Sequence, residues 1–292
     1  MVVSLERDPC VVPSAGELRQ VLQGVGPRSC PLQYNFHLHT RCSDGQMDPV
    51  DLAEQARRHG LKGLAITDHH TLKGYERARA HLDRPDDPIL WPGIEITANL
   101  LGCEVHILGY GFDPTDSVLD PFAQGEQVPG LPAADAIQAI QAAGGLAVLA
   151  HPFRYCLPAE EIVPAAAELG IDGLEVYYAY KNPEIWIPSP EVTEKAEELA
   201  EAYGLLKTCG TDSRPQYPEA DLSQATQVEN GLLQAWIEQL SKPTQLLCGA
   251  HAQQQIPRLQ QGFSAGATDQ LAIRPSNRHH QSSGSVAQIG FP

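Results

Sequence analysis

The sequence predicts an α/β fold in which a mainly parallel sheet closes into a (β/α) barrel, and three observations predict it. Short apolar runs alternate with amphipathic stretches, the pattern of strands covered by helices. Many of the amphipathic stretches open on Pro, Asp or Ser and close on Gly, as helices start and stop. Nearly every strand candidate carries its unusual polar residues at or just after its C-terminal end. In a barrel those ends converge on one face, whereas an open doubly wound sheet would spread them along a line.

The elements follow in order. A lead over residues 1–33 contains a short helix in "SAGELRQVLQGV". The first strand, "YNFHLHT", carries His37 and His39, and alternate residues on a strand point to one face. Asp44 follows in "CSDG", before the helix "DPVDLAEQARRHG". The second strand, "GLAITDH", ends on Asp68 and His69 and leads into the helix "LKGYERARAHL". "ILWPGIEIT" reads as one strand ending near Glu95, and "EVHILGYG" contains His106. The helix "PAADAIQAIQAAGG" precedes "GLAVLAHP", which ends on His151. Then come the helix "PAEEIVPAAAELG", the strand "GLEVYYA", the helix "SPEVTEKAEELAEAYG" and the strand "LLKTCGTD", after which Asp212 stands. Beyond about Tyr217 the chain turns rich in Gln, Ser and Ala. One amphipathic helix is expected there, in "VENGLLQAWIEQL", and roughly the last thirty residues read as disordered. The expected organisation is therefore a lead over 1–33, a catalytic domain over 34–214 and an atypical segment over 215–292.

Composition narrows the function. The 292 residues carry a formal net charge of −16, which argues against a broad grip on nucleic acid. It does not exclude an anionic substrate, because bound divalent ions reverse the local charge. No apolar run is long enough to span a membrane, and the first twenty residues lack a secretory pattern, so a cytoplasmic protein is expected. The seven cysteines include no C-x-x-C pair and read as scattered reduced thiols.

Each polar strand-end residue has an ordinary explanation alone. A buried His is usually bonded to backbone, Glu95 could pair with a surface cation, and Asp68 could cap the next helix. Jointly the pattern H-x-H, S-D-G, T-D-H, P-G-I-E, H-I-L-G, A-H-P and G-T-D is far harder to obtain by accident, and such ligands suit a divalent ion better than a core. These motifs resemble the PHP (polymerase and histidinol phosphatase) superfamily of metal-dependent phosphoesterases. The details "HLHTRCSDG", "LAITDHHTLKGYERA", "PGIEIT", "HILGYGFD" and "LAHPFRY" are most similar to its bacterial nucleoside 3′,5′-bisphosphate phosphatases and 5′→3′ exoribonucleases.

The resemblance implies a distorted (β/α)7 barrel holding two or three divalent ions, usually manganese, with zinc, iron or magnesium as alternatives. By position, His37, His39 and Asp212 would hold the first ion and Glu95 would bridge it to a second held with His69 and His106. Asp44 and His151 would belong to the third. A hydroxide bridging two ions beside Glu95 is then expected to attack phosphorus in line with the departing oxygen. Asp68 is expected to position a ligand or the nucleophile, and Arg154 to bind phosphate through its planar fork. Arg41 and Lys73 are weaker phosphate candidates, and His70 is read as a supporting residue. Tyr177, Tyr178 and Tyr180 are candidates for stacking on a base, with packing as the competing role.

Two departures qualify the implied activity. The usual G-S-D-x-H ending reads "GTDSRP", with Arg214 in place of the His, and Arg cannot donate a lone pair. The third site could be completed by water, Arg214 could contact the substrate, or the protein could be a weakened relative. The helical insertion that usually roofs the site after "HILGYGFD" is also short here. The expected substrate is a nucleotide or a short 5′-phosphorylated oligonucleotide; the rivals are a small metabolite of the histidinol phosphate type and a non-catalytic metal- or phosphate-binding role. Amidohydrolase chemistry expects a lysine on a mid-barrel strand, and neither "ILWPGIEIT" nor "GLAVLAHP" has one.

Overall fold

The computed structural model describes residues 11–180 and 186–212. All of them lie in the first of two compact units, residues 1–242; the second, 243–292, falls outside the described residues. The expectations for Arg214, for the helix in "VENGLLQAWIEQL" and for a disordered tail therefore also lie outside them.

The expected mixed α/β alternation is present. The strands are β1 (Tyr34–Asn35), β2 (Gly63–Ala65), β3 (Ile89–Trp91), β4 (Gly93–Leu100), β5 (Cys103–Tyr110), β6 (Leu146–Leu149), β7 (Gly173–Tyr177) and β8 (Leu206–Cys209). The helices are α1 (Ala15–Leu22), α2 (Pro49–Arg58), α3 (Lys73–Arg79), α4 (Ala133–Ala142), α5 (Ala159–Glu168) and α6 (Pro190–Ala202). Local chemistry starts them where expected. Ser14 and Glu17 form a reciprocal capping box at α1, and Asp48 caps α2 ahead of Pro49.

The strands form two sheets, β1-β2-β3 and β4-β5-β6-β7-β8, rather than one continuous closed ladder. A few isolated hydrogen bonds cross both seams. Phe36 N–H donates to Cys209 O (3.0 Å) and Asp212 N–H to His37 O (2.9 Å) on one side. On the other, His70 N–H donates to Glu95 O (3.0 Å) beside a lone parallel bridge between His69 and Glu95.

One expected strand divides. "ILWPGIEIT" breaks at Pro92, which has no N–H to donate, so β3 stays with the first sheet and β4 joins the second. The sheet is also less parallel than expected: β4-β5 and β5-β6 are antiparallel. Only Leu101 and Gly102 separate β4 from β5, both at positive φ (57° and 80°). A two-residue turn of that hand can join only antiparallel neighbours.

Beneath the site, Phe36 is fully buried with its ring 5.8 Å from that of Trp91 and 6.1 Å from that of Tyr110. This aromatic group belongs to an apolar core that continues through Ile94, Ile96, Ile107, Leu149, Leu174 and Cys209. Burying Phe36 stabilises the fold by about 2–3 kcal/mol and fixes the chain just before His37. The cysteine expectation needs correction. Cys103 and Cys156 are bonded to each other, their Cα atoms 6.0 Å apart across a separation of 53 residues, which spacing alone could not reveal. Cys30, Cys42 and Cys209 are free.

Candidate metal centre

Glu95 is the hub of the site. It is fully buried, and its carboxylate faces five imidazoles. Its Oε2 lies 3.1 Å from His37 Nε2, 3.0 Å from His39 Nε2 and 3.5 Å from His69 Nε2. Its Oε1 lies 2.7 Å from His106 Nδ1 and 3.7 Å from His151 Nε2.

These residues reach Glu95 by two routes. His37 and His39 follow β1, His69 follows β2, His151 follows β6 and Asp212 follows β8, so four strand ends converge as expected. Glu95 and His106 do not come from strand ends. They sit within the antiparallel pair β4-β5, where His106 lies opposite Thr97, two residues from Glu95. Residues 95, 97 and 106 therefore share one face, and the diagonal contact brings Glu95 and His106 together.

Donor atoms of three side chains gather within 4.8 Å of one another in four places: His37, His39 and Asp212; His69, Glu95 and His106; His37, Glu95 and His151; His39, Asp44 and His69. The first two groups bring together the residues expected on the first and second ions. Asp44 and His151, expected on a common third ion, fall into separate groups. His151 sits behind His37, whereas Asp44 projects from the loop after His39, with its Oδ1 3.4 Å from His39 Nδ1.

Several buried donor atoms fit metal ligation better than a finished hydrogen-bond network. Both ring nitrogens of His39 and of His151, Nδ1 of His106 and Oε1 of Glu95 are enclosed without a hydrogen bond of acceptable geometry. Leaving such atoms unsatisfied is costly, and cations would satisfy those that face one another. The set of imidazoles and carboxylates suits manganese, iron or zinc.

The electrostatics follow from burial and close approach. Burial alone would lower the pKa of His37, but Glu175, Glu95 and Asp212 more than offset it and raise it well above the ordinary value. Burial opposes protonation of His39 too, and its contacts with Asp212 and Glu95 raise it overall. His69 goes the other way, lowered to about 4 mainly by burial, and His151 is lowered for the same reason. Burial would raise Glu95, yet the charge of His37 and the close approach of its imidazole neighbours hold it well below the usual carboxylate range.

The supporting residues have distinct tasks. Asp68 is fully buried and accepts from Thr40 N–H (2.6 Å), Thr40 Oγ1 (2.6 Å) and Ser43 Oγ (2.6 Å). It thereby pins the loop that carries Asp44; α3 is preceded by Leu72 and has no side-chain cap. Arg154 Nη1 donates to Asp212 Oδ2 (2.7 Å) and to Tyr178 Oη (2.9 Å), and Tyr178 donates to the same Oδ2 (2.8 Å). Asp212 Oδ1 is thus turned toward His39 Nε2, 3.1 Å away. His70 accepts from Thr97 N–H through Nε2 (3.3 Å) and receives Gly125 N–H on its carbonyl (2.6 Å), the supporting role expected of it. Tyr177 points its hydroxyl to Glu197 (2.8 Å), and Arg41 and Lys73 are exposed.

Sequence reasoning missed Glu175. It lies in β7 between buried Leu174 and Val176 and is itself fully buried. Its Oε1 is 2.9 Å from His37 Nδ1, and its Oε2 accepts from His151 N–H at 2.9 Å. A carboxylate in a strand with every residue buried was the available signal, because such a group requires a partner.

The mixed α/β scaffold thus gathers imidazoles and carboxylates around one buried glutamate, a donor set suited to divalent ions. The chain belongs to the PHP domain family, whose sequence pattern matches residues 35–266. It is 30% identical over 95 residues to a 5′-3′ exoribonuclease of Haemophilus influenzae, covering 32% of this chain and 34% of that one. It is 34% identical over 85 residues to a 3′,5′-nucleoside bisphosphate phosphatase of Chromobacterium violaceum, covering 29% and 30%. The aligned stretch thus spans about a third of these curated relatives. Its fold is similar to a crystal structure assigned as a metal-dependent phosphoesterase from Bifidobacterium adolescentis, with 25% identity, a TM-score of 0.54, and 68% of this chain and 96% of that one covered. Among the described residues, no helix is long and apolar enough to cross a membrane.

Proposed function

We propose that this protein hydrolyses a phosphate ester of a nucleotide or of a short 5′-phosphorylated oligonucleotide, with divalent ions, manganese foremost, held by His37, His39, Asp44, His69, Glu95, His106, His151 and Asp212. The observation that carries the reading is the fully buried Glu95 carboxylate faced by five imidazoles. The names of the aligned relatives, a bisphosphate phosphatase and an exoribonuclease, support the substrate class. We read the two sheets, stitched at both seams, as a distorted (β/α)7 barrel forming the domain of residues 34–214.

When bound, close divalent ions would supply an activated water and neutralise charge on the phosphoryl oxygens. The chain's own residues prepare that chemistry. His37 and His39 turn ring nitrogens toward Glu95. Arg154 and Tyr178 hold one oxygen of Asp212 and leave the other facing the imidazoles. Arg154 is 41% exposed, and on this reading its guanidinium also meets an incoming phosphate. Asp68 keeps the Asp44 loop in place.

The test combines metal analysis with manganese-dependent phosphate release from adenosine 3′,5′-bisphosphate, a 5′-phosphorylated RNA and p-nitrophenyl phosphate. Turnover of a nucleotide substrate well above the aryl phosphate is expected. Hydrolysis of the aryl phosphate alone would defeat the substrate assignment, and bound metal without turnover would defeat the catalytic one.

A further inference from the structure

Glu175 stands apart from the residues that gather around Glu95. It comes from the middle of β7, is closed off from solvent, and touches the centre only through its neighbours. Both its oxygens are engaged. Oε1 meets the Nδ1 face of His37 at 2.9 Å, and Oε2 accepts the main-chain N–H of His151 at 2.9 Å.

An imidazole presents two nitrogens, and a ligand role requires the outward one to be unprotonated. With Nδ1 donating to Glu175, His37 directs Nε2 toward Glu95 Oε2 (3.1 Å) and Asp212 Oδ1 (3.5 Å). A carboxylate behind a ligating histidine fixes its tautomer and ring orientation and raises its basicity. The second contact acts on backbone. His151 has φ of +21°, a conformation that side chains with a Cβ rarely adopt, and the bond from its N–H to Glu175 holds it there.

The surrounding chain leaves room for this arrangement. A Cβ at position 210 would lie 2.8 Å from Glu175 Oε1 and would collide with the His37 side chain, so Gly210 is what admits the contact. Burying a lone carboxylate here would cost several kcal/mol, and the His37 imidazole supplies the compensating partner.

We propose that Glu175 is a positioning residue for the metal centre, presetting His37 through its side chain and His151 through its backbone; this rests on the reading of His37 as a metal ligand. The neutral isostere Glu175→Gln keeps an acceptor for His151 and the packing volume, but removes the charge and the obligate acceptor behind His37.

The experiment uses the full chain, stripped with chelator and titrated with Mn²⁺ by calorimetry, in wild type and Glu175→Gln, with circular dichroism and thermal melts in chelator as the fold control. The variant is expected to keep its fold and bind at least one ion roughly 10- to 100-fold more weakly. A second readout is the ¹⁵N-histidine NMR spectrum of the zinc-loaded wild type, in which His37 should show a downfield Nδ1–H and a metal-bound Nε2. That measurement decides the matter if the variant does not fold. Unchanged Mn²⁺ affinity in a folded variant, or His37 ligating through Nδ1, would overturn the role of Glu175 alone. A wild type that binds no Mn²⁺ or Zn²⁺ would overturn it together with the ligand assignment.

Discussion

Raising the pH through neutrality should tighten metal binding. In the ion-free protein His37 and His39 are the two ligand-candidate imidazoles whose carboxylate neighbours raise their pKa, while His69 and His151 are lowered by burial. An ion entering the His37–His39–Asp212 group is therefore expected to displace a proton from one or both of these imidazoles. Each proton contributes about 1.4 kcal/mol per pH unit, so the first ion should bind about 10- to 100-fold more tightly for each unit gained. Calorimetric Mn²⁺ titrations at pH 6.5 and 7.5, in two buffers of different ionisation enthalpy, give both the slope and the proton count. The stripped protein should show the opposite trend. Histidines with a raised folded pKa contribute stability that is fully present below about pH 6.5 and is lost as pH rises through the folded value. A flat affinity with no proton release would refute the assignment of His37 and His39 as protonated ligands.

Three further outcomes test separate parts of the molecule. Phe36→Ala should destabilise the chelated protein by about 3–5 kcal/mol in urea denaturation, since it empties the site between Trp91 and Tyr110. Asp68→Asn should cost about 2–3 kcal/mol, because one amide oxygen replaces a carboxylate that accepts three bonds, and it should weaken the ion nearest Asp44. Arg154→Ala, on a side chain 41% exposed, should change stability by less than about 1 kcal/mol. In steady-state assays the same variant should raise KM for a phosphorylated substrate about tenfold, the loss of one charge-assisted contact.

What the sequence disclosed depended on how each residue reaches the site. His37 and His39 were legible because alternation on an extended chain fixes their common face, and His69, His151 and Asp212 because each ends or follows a strand. Glu95 was expected at a strand end, whereas it lies within β4. "ILWPGIEIT" is apolar throughout except for Glu95 and Thr97, so its pattern gives no sign that Pro92 hands the second half to another sheet. The antiparallel β4-β5 pairing was legible in Leu101-Gly102, a turn flanked by strand candidates. It went unread because βα alternation elsewhere pointed to parallel strands. Asp68 shows the limit of local reasoning: its position before a helix suggested a cap, whereas its partners Thr40 and Ser43 lie more than twenty residues earlier.

Glu175 exposes a different gap. A barrel gathers its chemistry at strand ends, whereas Glu175 lies inside β7. A mid-strand carboxylate does not need to reach the mouth if it works through a neighbour's far side, and Nδ1 of His37 offers such a side. A reading tuned to the first ring of ligands will pass over the charges that aim them. Yet an unpaired buried carboxylate would cost several kcal/mol. The sequence "GLEVYYA", apolar around its one acid, therefore already implied a partner with a proton to share.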